Sequence, residues 1–133
     1  MITSVYPVIM TDDPGSVASF FCTHFGFEAV FSSDWYVSLN ADGHEIAFLR
    51  SGHETIPAGH RAAPGVTAPG LLVNIEVDDV DAVAERLIAG GVPVLQPLRS
   101  EDFGQRHIIV EAPGGIMVDV ITPIPFTGEH PGG

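Results

Sequence analysis

A chain of 133 residues, 45% of them hydrophobic, is long enough to bury a core without disulfide or metal staples. Its formal net charge of −12, with Arg as the only basic residue besides histidine, excludes the basic surface that nucleic-acid binding needs. No apolar run reaches the roughly 18 residues of a spanning helix, and no basic region precedes an apolar stretch at the N-terminus; no membrane segment and a cytoplasmic location are therefore expected.

The pattern begins with an apolar, β-branched stretch that predicts a strand over 4–11. Asp12-Asp13-Pro14-Gly15 is a helix start, with an acidic cap and a proline in the first turn. Val17, Phe20, Phe21 and His24 or Phe25 recur at helical spacing over 14–24, so this helix turns an aromatic face to a core and Gly26 ends it. Strands follow over 27–32, 35–40 and 44–50, the last two joined by the hairpin signal Ala41-Asp42-Gly43. Residues 51–70 hold three Pro, four Gly and two His with almost no apolar periodicity. They read as a linker, with a lid over a site as one role for it.

The same order then returns. A strand is predicted over 71–77, Asp79 or Asp81 caps a helix over 80–89 with Val80, Val83, Ala84, Leu87 and Ile88 on its apolar face, and strands follow over 92–98, 105–111 and 116–122. The tail, 123–133, is rich in Pro and Gly and is expected to be poorly ordered. Two like units predict a pseudo-symmetric α+β fold with a ligand site within or between the halves.

Cys22 is the only cysteine, which rules out an internal disulfide or thiolate cluster. It reads as a small buried hydrophobe rather than a reactive thiol. Of the six histidines, His24, His44, His53, His60 and His130 read as surface, turn or linker residues, and no HExxH-type motif exists. His107 is the exception, because a strand facing a cavity can aim it inward.

The doubled plan, with Asp12-Asp13 followed by Phe20-Phe21 and Gly26-Phe27, resembles the vicinal oxygen chelate superfamily of glyoxalase I, extradiol dioxygenases and bleomycin- and fosfomycin-resistance proteins. Glu76-Val77-Asp78-Asp79-Val80-Asp81 resembles its second strand-to-helix junction. Phe103-Gly104-Gln105-Arg106 followed by Ala112-Pro113-Gly114-Gly115 resembles its last hairpin, with Ala112 where Asp is usual. The resemblance covers the chain to about Thr122. It implies a single domain over 1–122 of two βαβββ modules, 1–50 and 71–122, forming curved mixed sheets around a cup-shaped cavity, and a homodimer.

The resemblance also implies metal ligands on the first and last strands of each module, and here the chain departs from it. The corresponding positions are Tyr6, Leu72, Glu45 and Asp119, and two carboxylates without an imidazole make a poor site for a divalent ion. No metal and no other cofactor is expected, a divalent metal being the alternative. The cavity is expected to be lined by Tyr6, by one of Trp35 and Tyr36, which as strand neighbours must face opposite sides, and by Phe103 at its rim. Glu45 and Asp119 are expected to pair with a cationic ligand, Arg106 with an anionic one, and His107 to face inward.

Two functions follow. The first is a metal-free binding protein of the bleomycin-resistance kind, sequestering an aromatic or cationic metabolite or antibiotic. The second is a glyoxalase-like lyase, isomerase or dioxygenase, with a metal held by Glu45, Asp119 and His107 or with one of the two carboxylates as general base, which requires a pKa raised by burial. A degenerate module that only dimerises is a third reading, if side chains fill the cavity.

Overall fold

The computed structural model describes residues 1–65 and 70–126. The chain divides into two compact units, Met1–Pro69 and Gly70–Gly133. Each is a helix packed on a four-stranded mixed sheet, the βαβββ plan read from the sequence.

In the first unit, β1 (Val8–Thr11) leads into α1 (Pro14–Phe25), then β2 (Glu28–Ser32), β3 (Tyr36–Ala41) and β4 (His44–Arg50), in sheet order β1-β4-β3-β2. Only the β1–β4 pair is parallel. Asp13 caps α1 by accepting from the Ser16 amide at 3.1 Å and the Ser16 hydroxyl at 2.5 Å. Gly26 closes the helix in the left-handed conformation at φ +72°, where a β-carbon is disfavoured. The β3–β4 hairpin turns through Asp42 and Gly43, both at positive φ, as a two-residue loop of the primed type requires. One sheet face meets α1: Phe21 stacks on Phe48 at 5.4 Å between ring centroids, and Val37, Leu39 and Ile46 are buried with them. By alternation, Tyr36, Ser38, Glu45, Ala47 and Leu49 share the opposite face, here called the open face.

The second unit repeats the order with β5 (Leu72–Glu76), α2 (Val80–Ala89), β6 (Val94–Glu101), β7 (Gln105–Ala112) and β8 (Ile116–Pro123), sheet order β5-β8-β7-β6. Asp79, not Asp81, is the N-cap of α2, accepting from the Ala82 amide at 3.2 Å. Val80, Ala84 and Leu87 of α2 are buried, as are Ile108, Val110, Val118 and Val120 of the sheet.

Several expectations need correction. The first strand begins at Val8 rather than residue 4: Pro7 has no N–H for the ladder, although its carbonyl still accepts from Ala47. Ile88 is 56% exposed, because it lies roughly 100° around the helix from Leu87 and off the buried stripe. Cys22 is only half-buried. The linker is partly folded back on the first unit: Gly65 N–H donates to Asp12 Oδ2 at 2.7 Å, and Ala58–His60 form a 3₁₀ turn. Residues 66–69 of the linker and 127–133 of the tail, including His130, lie outside the described residues. Among the described residues no helix is long and apolar enough to cross a membrane.

Candidate functional site

The face of the second sheet opposite the one that packs on α2 carries an array of charges. His107 on β7 and Asp119 on β8 are 6% and 5% exposed. The imidazole Nδ1 lies 2.9 Å from Asp119 Oδ1, and Nε2 lies 2.8 Å from Glu101 Oε2 at the end of β6. Arg99 Nε donates to the same Glu101 oxygen at 2.7 Å, and the Gln96 amide nitrogen stands 3.4 Å from Nε2. The Phe103 ring, in the turn between β6 and β7, meets His107 edge-on at 6.5 Å. Ionised carboxylates only accept hydrogen bonds, so a carboxylate at each nitrogen favours the doubly protonated ring.

The titration behaviour agrees with that geometry. Burial alone would lower the His107 pKa, but the hydrogen bonds to Glu101 and Asp119 overcome it and the net shift is upward. The hydrogen bonds from His107 and then Arg99 hold Glu101 below the usual carboxylate range.

A bulge in β6 assembles this array. Gln96 pairs with Ile109 and Arg99 with His107, so three steps along β6 match two along β7. Without that extra residue, Gln96 and Arg99 would point to opposite faces; with it, Gln96, Arg99 and Glu101 all share the face of His107. Pro97 sits inside the bulge on an edge strand, where its missing N–H costs no ladder bond.

The first unit gathers a different set. The Ser4 hydroxyl donates to Glu45 Oε2. Burial first, then the hydrogen-bonded Tyr6 hydroxyl, raise the Tyr36 pKa, with the Glu45 charge adding to the effect. Tyr6 and Phe31 are partly exposed beside Tyr36, the Phe31 ring lying 6.1 Å from it. Trp35 is not the strand neighbour expected. It lies in a tight turn in which Ser33 Oγ accepts from the Tyr36 amide at 3.0 Å, so strict alternation does not govern it. Its ring is 5.7 Å from Tyr36 and stacks flat on His53 at 4.2 Å.

Of the residues singled out in the sequence, the structure groups Tyr6, Tyr36, Trp35 and Glu45 in the first unit, and His107, Asp119 and Phe103 in the second. Arg106 is not brought to either group. It lies on the helix-facing side of β7 and makes a two-pronged pair with Asp81 of α2, at 2.8 and 2.9 Å. Glu101, Arg99 and Gln96 were not legible as site residues, since their common face depends on the bulge. Ser4 and His53 gave no signal beyond their residue type.

The family metal finds poor donors here. Leu72 offers no lone pair, and both nitrogens of His107 already face carboxylates. Among the described residues no group of three or more His, Cys, Asp or Glu is arranged to hold a metal ion.

With this geometry in view, the chain belongs to the Glyoxalase/Bleomycin resistance protein/Dioxygenase superfamily, whose family profile matches residues 3–120. Among solved structures it is similar to a glyoxalase/bleomycin resistance protein/dioxygenase family enzyme from Burkholderia phytofirmans PsJN, at 18% identity, covering 90% of this chain and 97% of that one, with a TM-score of 0.77. A glyoxalase/bleomycin resistance protein/dioxygenase from Nocardioides is similar at 18% identity, covering 100% and 90%, with a TM-score of 0.75. A lactoylglutathione lyase from Agrobacterium tumefaciens is similar at 19% identity, covering 91% and 94%, with a TM-score of 0.69. Likenesses at this identity establish the fold alone. No curated protein matches the chain.

Proposed function

We propose that this protein binds a small aromatic or cationic molecule without a metal and without turnover, as a homodimer in the cytoplasm, in the manner of a sequestering resistance protein. The observation that carries this reading is the saturation of His107: a ring with a carboxylate at 2.9 Å on one nitrogen and 2.8 Å on the other has no lone pair for a metal or for a substrate proton. The first unit supports the ligand class. Tyr6, Tyr36 and Phe31 offer ring faces near Glu45, a combination suited to a cation. The net charge of −12 favours approach of such a ligand, and the lone cysteine fits a reducing compartment.

Trp35 is the single tryptophan and stands against Tyr36, so its fluorescence reports on this face. Titration with bleomycin and with ethidium is expected to quench it saturably and to raise the melting temperature, while elemental analysis finds no stoichiometric metal. Stoichiometric metal, or no response to either probe, overturns the reading.

A second reading, an enzyme with a carboxylate general base, draws on the buried Asp119 beside His107. It requires Asp119 to be freed from the imidazole. Turnover of a glutathione hemithioacetal by the metal-free protein decides for it.

A further inference from the structure

The segment that follows β4 lays a ring of its own on the single tryptophan. Its course is held by other bonds. Ser51 N–H donates to the Thr11 carbonyl at 2.9 Å and His53 N–H to the Arg50 carbonyl at 3.2 Å. Arg61 ties the loop to itself, donating to the carbonyls of Ile56 at 2.8 Å and Glu54 at 3.4 Å, and Gly65 N–H anchors the far end on Asp12. None of these bonds needs an imidazole at position 53. The His53 ring nevertheless lies flat on Trp35, 4.2 Å between centroids and 10° between planes, against the indole that also borders Tyr36.

The loop also sets the state of that ring. Thr55 N–H donates to His53 Nδ1 at 3.2 Å, which puts the ring proton on Nε2 and leaves the imidazole neutral. An indole face attracts a cation, through the ring quadrupole, in a way that a neutral imidazole cannot match. His53 therefore covers Trp35 in the free protein with a ring that a planar cation can outbid. We propose that His53 is a built-in competitor for the Trp35 face: a planar aromatic cation stacks on the indole only after the His53 ring has swung away and given up its Thr55 contact. The inference rests on the binding reading above and deepens it, naming a flat cation as the ligand class and an internal ring as what it displaces.

The probe is ethidium, followed by the anisotropy of its own emission so that the readout does not depend on Trp35. His53→Ala bares the indole and is expected to tighten binding about three- to tenfold, the range of one aromatic stack. His53→Phe keeps the indole covered with a more apolar ring and is expected to weaken binding. In the wild type, the nuclear Overhauser contacts between the His53 and Trp35 rings are expected to vanish at ethidium saturation, a measurement that needs no variant. Binding unchanged or weakened by His53→Ala, binding tightened by His53→Phe, or ring contacts that persist at saturation overturns the competitor while the binding reading stands. Ethidium bound by neither the wild type nor His53→Ala also overturns it, and the binding reading falls with it only if bleomycin fails as well.

Discussion

His107 and Asp119 are diagonal neighbours on adjacent antiparallel strands, His107 pairing with Ile121 and Asp119 with Ile109, and their side chains close to 2.9 Å on a face where both are buried. Diagonal partners of this kind lie within reach of an imidazole and a carboxylate. The contact couples the stability of the second sheet to its charge array.

Removing His107 leaves the Asp119 carboxylate buried without its partner, and removing Asp119 leaves one nitrogen of His107 buried without one, Glu101 holding only the other. His107→Leu and Asp119→Leu are each expected to destabilise by about 3 kcal/mol, with the double substitution costing clearly less than the sum. Urea unfolding of the four proteins in a double-mutant cycle measures this, and strict additivity would contradict the pairing.

Stability should depend on pH with two opposed limbs. The folded protein holds the His107 proton more tightly than the unfolded chain does, so this contribution is complete below about pH 6.5 and is lost as pH rises through the elevated folded value. Glu101 is shifted down, so its contribution is complete above about pH 4.3 and is lost as pH falls through the lowered folded value. The two overlap between these values, where the urea midpoint should be highest. His107→Gln should flatten the alkaline limb; an unchanged slope there would disconnect His107 from the pH dependence.

The first unit is held by its aromatic core. Phe21 and Phe48 are fully buried and stacked at 5.4 Å, so Phe48→Ala should cost about 3–5 kcal/mol. A loss below about 1 kcal/mol in chemical denaturation would mean that the site collapses around the missing ring.

Helix α1 is closed at both ends by its own sequence. Asp13→Ala removes two acceptor contacts to Ser16 and should cost about 1 kcal/mol. Gly26→Ala meets no neighbouring atom within 4 Å but imposes a β-carbon at φ +72°, and should cost about as much through backbone strain alone. Thermal unfolding of both variants checks these values, and a neutral Gly26→Ala would show that the helix end relaxes.

The elements were legible because each is fixed by local rules. Asp13 and Asp79 mark helix starts, Gly26 a helix end and Asp42-Gly43 a hairpin, and period-2 or period-3.6 apolar patterns fill the spans between. The site was legible only in part. His107 and Asp119 stood out as polar residues within apolar strands, and Phe103 by its place in a turn. Arg106 misled because a charge on a strand does not disclose its face: one step along β7 separates it from His107, and that step turns it toward Asp81. Trp35 misled because the Ser33 turn ends the alternation before Tyr36.

The sequence by itself determined the doubled βαβββ plan, since propensity, capping and periodicity act over a few residues and recur in both halves, and the superfamily followed from the resemblance its motifs carry and from the matching family profile. Only the tertiary structure decided that His107 is bridged by Asp119 and Glu101. That array depends on strand register and on one extra residue near Pro97, and a shift of one residue in β6 exchanges the faces of Gln96, Arg99 and Glu101.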